Sequence, residues 1–384
     1  MSARSLTSIR KQVEKAIKKA EVEVSPEQSA AILDATEPMI RLTQTWDLSE
    51  SRDFAKAVRA VDERNAKKGD ATLGDVIGGV EQAKHETSAK RLKKLPIGAS
   101  RLGGLPDLPP GFEWPRVKKN RRKDGKLLSN KRMPFVAQLD LSELPHWKDS
   151  PLPKSGWLYV FVFLSNDAPE GCAVTYHDGP REELTRDKSK ANDDDLAPTS
   201  TGQRIYDLLL FKPDVLPSVD WDKVARQTIT EPEEQWRPIM KGKEKDELLQ
   251  QWDAGERPKG VKVTQSPFGP DRIPWRRVDR TAVDIGRQDL PRGLMRIDRD
   301  LSADGFQDEC GHLLGQPTWD ESANQMAAYD WGHNRREGDW VNLLELHSMG
   351  SFMWSDAGYL NLLIRRPALE AGDFGDVLHW VSSS

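Results

Sequence analysis

The chain has 384 residues, of which 37% are hydrophobic and 31% are charged, and its formal net charge is −4. A net charge this close to zero does not indicate a polyanionic partner for the molecule as a whole. No apolar run approaches the ~20 residues needed to span a bilayer and no signal peptide is predicted, so we expect a cytoplasmic protein without a membrane anchor.

The first 95 residues are predicted to form a mostly helical N-terminal extension. Apolar residues fall on one face of residues 6–22, as in an amphipathic helix. Ser25 is a typical cap for a second helix, with a proline directly after it. This helix is expected to run as far as Leu42, with a kink or break at Pro38. Two further helices are predicted before residue 95.

The helical periodicity stops at Pro96, and a β-rich domain is predicted from residue 96 to residue 384. Its first segment is a coil whose glycines permit tight turns and whose prolines impose them. Gly103 and Gly104 raise the alternative of a phosphate-binding loop. Neither GxxxxGKS/T nor GxGxxG occurs in the chain, so these glycines are interpreted as turn residues.

Residues 116–132 carry nine lysines and arginines around an Asp-Gly pair, which is typical of a hairpin turn. A protruding basic loop of this kind can contact nucleic-acid phosphates, and Arg121, Arg122 and Lys123 are the candidate residues. The alternative is a solvated loop, because no aromatic residues that stack on bases are interleaved with the charges.

Apolar and β-branched patterns predict four strands between residues 135 and 212. They span residues 135–141, 156–164, 173–177 and 203–212, and the prolines from 213 to 217 are expected to end the last one. Residues 180–202 are predicted to form a mobile charged loop. Its acidic triplet, 193–195, lacks the ligand spacing of a hard-cation site. Residues 219–300 show no clear pattern apart from a short helix near 244–252.

Three motifs of the first half recur in the same order near the C-terminus. The matching segments are 102–106 with 314–317, 137–139 with 344–346, and 156–162 with 358–364. We therefore predict an α+β fold: a β-rich domain with an internal pseudo-two-fold duplication, preceded by the helical extension. The two halves span about residues 96–215 and 300–384 and are joined by a long loop-rich segment.

These segments, with His-Leu-Leu-Gly-Gln-Pro at 312–317 and Met-Trp-Ser-Asp-Ala-Gly-Tyr-Leu at 353–360, resemble the YwqG-like family of bacterial proteins. The resemblance covers about residues 96–384 and leaves the N-terminal helices outside it. It implies a compact α+β domain and no established activity, because the family is one of unknown function. Glu345 stands where the family usually has glutamine. Some members look to be encoded near secreted-toxin systems, which hints at binding or immunity.

Five polar residues are candidates for a catalytic site between the halves. If the halves pack face to face, Gln138 and Glu345 can meet, with His347 two residues after Glu345. His312 and Asp356 are the nearest further candidates. Carboxylates with histidines can act in general acid/base catalysis or hold a metal ion. The alternative is structural, with strand residues on a solvated face and turn residues at 312 and 356.

Other chemistry has less support in the sequence. Cys172 and Cys310 lack CxxC spacing, which disfavours a disulfide framework and a zinc–cysteine site. A cysteine nucleophile would need a base, for which His177 and His312 lie close in sequence. No GxSxG, HExxH or P-loop motif is present, and we predict neither a cofactor nor a metal.

The sequence thus favours a protein of unknown function that binds another protein without catalysis, in an immunity-like or toxin-associated role. A hydrolase or other enzyme that uses the polar cluster is the alternative from another class. Nucleic-acid binding through residues 116–132 is the third. A solvent-filled cleft with converging polar groups would favour the enzyme, and a shallow apolar surface would favour protein binding.

Overall fold

The structure is a computed structural model. It describes residues 6–19, 23–46, 51–68, 72–117, 130–165, 168–190, 192–199, 201–229, 235–238, 275–278, 297, 309–318, 323–328 and 339–382. None of the helices in these ranges combines the length and apolar character needed to cross a membrane.

The helices and strands follow one another along the chain as a mixed α+β fold. The helices are α1 (Leu6–Lys19), α2 (Pro26–Asp34), α3 (Arg52–Lys68), α4 (Leu73–Lys93), α5 (Trp221–Thr228), α6 (Ala323–Ala328) and α7 (Arg366–Glu370). The strands are β1 (Thr36–Trp46), β2 (Arg101–Leu102), β3 (Asp107–Leu108), β4 (Phe135–Asp140), β5 (Trp157–Ser165), β6 (Ala168–His177), β7 (Thr185–Arg186), β8 (Leu210–Val219), β9 (Gln235–Pro238), β10 (Trp275–Val278), β11 (Glu309–Leu313), β12 (Trp340–His347), β13 (Tyr359–Arg365) and β14 (Val377–Ser382).

Two antiparallel sheets contain most of the strands. A six-stranded sheet has the order β14-β13-β12-β11-β1-β8, and a four-stranded sheet has the order β2-β4-β5-β6. The short pairs β3–β7 and β9–β10 form separate two-stranded sheets. The predicted fold class, α+β with a helical N-terminal region, is confirmed.

The order β2-β4-β5-β6 is repeated as β11-β12-β13-β14 within the larger sheet. We call these two sets of strands the first repeat and the second repeat. Each repeat has a turn after its first strand in which two consecutive residues have positive φ, 103–104 in the first and 314–315 in the second. A common strand order and a common turn are what the predicted duplication requires.

The side chains of β5 show why this segment is a buried strand. Leu158, Val160 and Val162 join the apolar side chains of the six-stranded sheet in one core, while Tyr159 and Phe161 belong to a second core on the opposite face. Alternation with period two places successive side chains on opposite faces, and both faces are covered. Each fully buried side chain contributes about 1.5–3 kcal/mol to stability.

Two secondary-structure predictions were wrong, one for the edge strand β8 of the six-stranded sheet and one for its inner neighbour β1. The second helix ends at Asp34, and residues 36–46 form β1 between β8 and β11. Pro38 ends helical periodicity here, while Ile40 and Leu42 alternate with polar residues and are fully buried. The prolines at 213 and 217 lie inside β8, which an edge strand tolerates because one side of its backbone is unpaired.

Residues 21–35 and 221–296 cluster as a separate unit from the rest of the chain. In this unit Ser25 caps α2: its hydroxyl accepts a hydrogen bond from the Gln28 N–H at 3.1 Å, as predicted for a helix start. Helices α2 and α5 pack together, and Lys223 pairs with Asp34 at 3.0 Å. The helix predicted near 244–252 lies outside the described residues.

Replacement of Gly103 by alanine is expected to destabilise the chain by about 2–5 kcal/mol, because positive φ and a steric clash act together. Gly103 has a φ of +64°, and a Cβ on it would lie 2.1 Å from the Asp207 carbonyl oxygen. Gly111 has a similar φ of +71° and open space around a Cβ. Gly111→Ala is therefore the matched control, with a cost of about 1–2 kcal/mol. Urea unfolding measures the free energy of unfolding of both variants. An equal loss in Gly103→Ala and Gly111→Ala would contradict the predicted clash.

Candidate functional site

The first repeat buries an arginine beside a glutamine. Arg101 of β2 pairs with Gln138 of β4, and both side chains are fully buried. The Gln138 amide oxygen accepts hydrogen bonds from the backbone N–H of Asp107 at 2.7 Å and from the Arg101 guanidinium at 3.3 Å. The guanidinium also donates to the Leu105 carbonyl oxygen at 2.5 Å. We call this group the arginine pocket.

The arginine pocket contains its own charge balance. Arg101 Nη1 lies 3.1 Å from Asp107 Oδ2, and Arg186 Nε lies 2.7 Å from Asp107 Oδ1. Burial lowers the pKa of Arg101 to about 10, although the Asp107 charge opposes this shift. Burial alone would raise the pKa of Asp107, but the Arg186 hydrogen bond and the Arg101 charge outweigh it and lower that pKa. Both groups are therefore ionised at neutral pH.

The second repeat places a histidine and a glutamate at the corresponding positions. His312 of β11 pairs with Glu345 of β12, as their counterparts pair in the first repeat. Glu345 Oε2 accepts a hydrogen bond from the Thr318 N–H at 2.9 Å, and His312 Nε2 lies 3.1 Å from the Gln316 carbonyl oxygen. In the first repeat, Gln138 accepts a hydrogen bond from the Asp107 N–H and Arg101 donates one to the Leu105 carbonyl oxygen. The two repeats therefore make the same two backbone contacts with different side chains.

Four side chains of the second repeat converge on one face of β11 and β12. Glu309, His312, Glu345 and His347 are each at most 8% exposed, and we call them the His/Glu cluster. His312 Nδ1 lies 3.5 Å from Glu309 Oε1 and 3.7 Å from Glu345 Oε1. His347 Nε2 lies 3.9 Å from Glu309 Oε1 and 3.2 Å from Glu345 Oε1. One nitrogen of each imidazole therefore faces both carboxylates.

A β-bulge in β11 brings Glu309 and His312 to the same face. Residues three apart on a regular strand lie on opposite faces. The pairing of β11 with β1 shifts register by one residue at this point, which makes Cys310 the extra residue. Gly311 has a φ of +146°, and a Cβ on it would lie 2.0 Å from the Glu345 carbonyl oxygen. Only glycine fits between these two strands.

The two nitrogens of the His312 ring face different partners. Nε2 lies 3.1 Å from the Gln316 carbonyl oxygen, which can only accept a hydrogen bond, and 3.1 Å from Asn342 Nδ2. Nδ1 is buried and faces the carboxylates of Glu309 and Glu345 at 3.5 and 3.7 Å. Histidines that bind metals typically donate from one nitrogen to a carbonyl or carboxylate and bind the ion with the other. A proton or a metal ion on Nδ1 would each place positive charge beside the two carboxylates.

Charges within the cluster shift its ionisation. Burial alone would lower the pKa of His312, but Glu345 and Glu309 outweigh it and raise that pKa. Burial alone would raise the pKa of Glu345, but the His312 charge and the His347 hydrogen bond outweigh it and lower that pKa. Burial and the carboxylates raise the pKa of Tyr359, whose ring packs edge-on against His347. An ionised buried carboxylate needs a positive charge beside it.

Three of the four side chains have the geometry of a metal-ligand set. Glu309, His312 and His347 each offer one ligand atom, and these atoms lie within 4.8 Å of one another. A tetrahedral zinc ion with bonds of about 2.0–2.1 Å spaces its ligand atoms about 3.4 Å apart. The distances of 3.5 and 3.9 Å from Glu309 Oε1 to the two nitrogens are close to this spacing.

The two repeats differ in the cation that neutralises their carboxylates. In the arginine pocket, the guanidinium of Arg101 supplies the positive charge. The shorter His312 takes this place in the second repeat. Within the ranges that the structure describes, the ion pairs of Glu309 and Glu345 involve only histidines. Among the described residues, no arginine or lysine therefore neutralises the buried carboxylates of the second repeat.

The structure brings three of the five candidate site residues together. His312, Glu345 and His347 belong to the His/Glu cluster. The polar contacts of Gln138 stay within the arginine pocket, so the expected meeting of Gln138 with Glu345 does not occur. Asp356 is exposed in the turn between β12 and β13.

Glu309 is the cluster residue that the sequence analysis missed. It precedes His312 by three residues, and the sequence around it predicts no strand. The available signal was the Glu-x-x-His spacing with a glycine before the histidine. This spacing indicates a shared face only once the bulge in β11 is known.

The two cysteines lack the properties of nucleophiles. Burial raises the pKa of Cys172 to about 12 and also raises the pKa of Cys310. The Cys310 thiol donates a hydrogen bond to the Leu42 carbonyl oxygen at 3.1 Å. Both thiols are protonated at neutral pH, so a cysteine nucleophile with His177 or His312 as its base has no support.

The ends of the basic run contact the acidic triplet. Arg116 Nη1 lies 3.0 Å from Asp195 Oδ1, and Arg132 Nη2 lies 2.5 Å from Asp193 Oδ2. Part of the positive charge is therefore neutralised within the chain. The three central residues proposed for nucleic-acid contact lie outside the described residues; they are Arg121, Arg122 and Lys123.

Comparison with known proteins agrees with the resemblance seen in the sequence. No curated protein matches the chain. Residues 100–382 match the profile of a family described as Domain of unknown function (DUF1963). This match includes both repeats, the arginine pocket and the His/Glu cluster. The chain therefore belongs to the DUF1963 family, whose function is not known.

Proposed function

We propose that the chain is a metal-binding protein that holds one divalent transition-metal ion in the second repeat. The ligands are Glu309 Oε1, His312 Nδ1 and His347 Nε2. The observation that carries the proposal is the convergence of one ligand atom from each of these three buried residues within 4.8 Å of one another. Carboxylates that are buried together need a positive charge beside them, which a bound metal ion would supply.

The donor set favours an ion of the zinc class. Imidazole nitrogens suit zinc and neighbouring transition metals, whereas calcium and magnesium prefer oxygen ligands alone. No cysteine is among the three ligands, so the soft thiolate chemistry of copper(I) has no basis here. This proposal departs from the expectation of a chain without a metal, which rested on the missing sequence motifs.

The test is direct metal analysis of the full chain. Protein stripped with a chelator, incubated with zinc chloride and desalted is expected to retain one zinc ion per chain. Alanine at His312 or at His347 removes a ligand and is expected to weaken binding roughly 100-fold or more. His177→Ala, a partly exposed histidine at the end of β6, is the matched control and is expected to retain zinc.

Far-UV circular dichroism checks that each variant is folded. His347 lies at the more exposed side of the cluster, so His347→Ala is the variant less disruptive to packing. Failure of the wild-type chain to retain zinc would overturn the proposal. Equal zinc content in the wild type and both ligand variants would overturn it as well.

Protein binding, which the sequence favours first, stays a separate proposal, as does the division into a helical extension and a domain at residue 96. A pull-down with the full chain as bait tests protein binding, and recovery of no partner would count against it. For nucleic acid, neutralisation of residues 121–123 is expected to reduce affinity and its salt dependence.

A further inference from the structure

Glu345 is held in place by a contact that both repeats share. Its two carboxylate oxygens accept hydrogen bonds from Thr318, one from the backbone N–H at 2.9 Å and one from the hydroxyl. Gln138, its counterpart, accepts the equivalent backbone bond from Asp107. A glutamine performs this task in the first repeat, so holding the coil does not require the negative charge of Glu345.

The charge of Glu345 is directed at the proposed metal ligands. Glu345 Oε1 lies 3.2 Å from His347 Nε2 and 3.7 Å from His312 Nδ1. The proposed ligands number three, and zinc sites with two histidines and one glutamate keep a fourth position for water or another ligand. Glu345 Oε1 is thus beside two of the three proposed ligand atoms, where it can accept a hydrogen bond from a group bound to the ion.

The next strand adds a buried acceptor without a hydrogen-bond partner. Asn361 of β13 is paired with Glu345, is fully buried, and has an Oδ1 without a hydrogen-bond partner. Tyr159 holds this position in the first repeat, where its hydroxyl donates to the Asp107 carbonyl oxygen at 2.6 Å. The shorter asparagine leaves an acceptor unsatisfied at the position where the tyrosine of the first repeat is hydrogen-bonded. A ligand with an O–H group would supply the missing donor.

We infer that the fourth position of the metal takes a small hydroxyl-bearing ligand, which is water when no other molecule is bound. Its oxygen binds the ion and its O–H donates to Glu345 Oε1, with Asn361 as the neighbouring acceptor. Glu345 is a positioning residue for this ligand and not a metal ligand. This inference rests on the proposed metal site.

The experiment uses the full chain loaded with cobalt(II), whose visible absorption reports the number and type of its ligands. Acetohydroxamic acid is the probe, because it combines oxygen donors for the metal with an N–hydroxyl group. Titration is expected to change the spectrum saturably. In Glu345→Gln, cobalt is expected to remain bound while the probe binds about tenfold more weakly, the loss expected for a hydrogen bond to a charged group. Cobalt content measured after the titration must be unchanged.

Asp140→Asn is the matched control, since Asp140 holds the position of His347 in the first repeat. It is expected to bind cobalt and probe as the wild type does. If the spectrum of the cobalt-loaded wild type does not change on addition of the probe, the inference is overturned, but the proposed metal site is not. Loss of cobalt from Glu345→Gln would also overturn it, because Glu345 would then be a ligand. Absence of cobalt from the wild type would overturn the metal site itself.

Discussion

Saturation with zinc is expected to raise the free energy of unfolding by about 4 kcal/mol when free zinc exceeds its dissociation constant by about a thousandfold. The physical reason is linkage, because the three ligands come together only in the folded chain. Glu309 and His312 are brought to one face by the bulge in β11, and His347 comes from the neighbouring strand. Urea unfolding with zinc and with excess chelator measures the difference.

Each variant is measured with zinc and with chelator, so that differences in intrinsic stability between variants cancel. Glu309→Gln keeps the shape of the side chain but removes its charge, and it is expected to lose most of the zinc-dependent stabilisation. Glu37→Gln is the control, because Glu37 is an exposed glutamate on β1. It is expected to keep the full effect. A stabilisation of the same size in Glu309→Gln would show that zinc acts elsewhere.

Replacement of Asp107 by alanine is expected to destabilise the chain by about 3–5 kcal/mol. The reason is that Arg101 is fully buried and would lose the carboxylate that lies 3.1 Å from its Nη1. Arg186 would lose a partner at 2.7 Å. Asp195→Ala is the matched control: Asp195 also pairs with an arginine at 3.0 Å, but its side chain is 46% exposed. That exposed pair is expected to contribute about 1 kcal/mol at most.

The pH dependence of the Asp107 effect gives an independent check. The folded pKa of Asp107 is lowered by Arg186 and Arg101 despite its burial, whereas the unfolded value is about 3.9. Its stabilisation is therefore fully present above the unfolded pKa and is lost as the pH falls through the folded pKa. The stability difference between wild type and Asp107→Asn is expected to be constant near neutral pH and to shrink below about pH 4. A difference that grows on acidification would refute this assignment.

The local patterns of the sequence determined the principal strands and the duplication. Apolar residues at 156–164 and 358–364 follow a glycine in both halves, and both segments form central strands, β5 and β13. The matching turn motifs have positive φ in both halves. Such features are predictable because side-chain alternation and turn conformation depend on residues near in sequence.

Tertiary structure alone decided the strand at residues 36–46 and the composition of the His/Glu cluster. The β1 segment follows a well-capped helix, and its pairing with β8 and β11 involves residues more than 150 positions away. Glu309 joins His312 because the register shift at Cys310 reverses the expected alternation. His347 joins them because β12 pairs with β11. Cross-strand register depends on long-range packing, which cannot be read from local periodicity. The sequence therefore identified three members of the cluster as candidates but not Glu309.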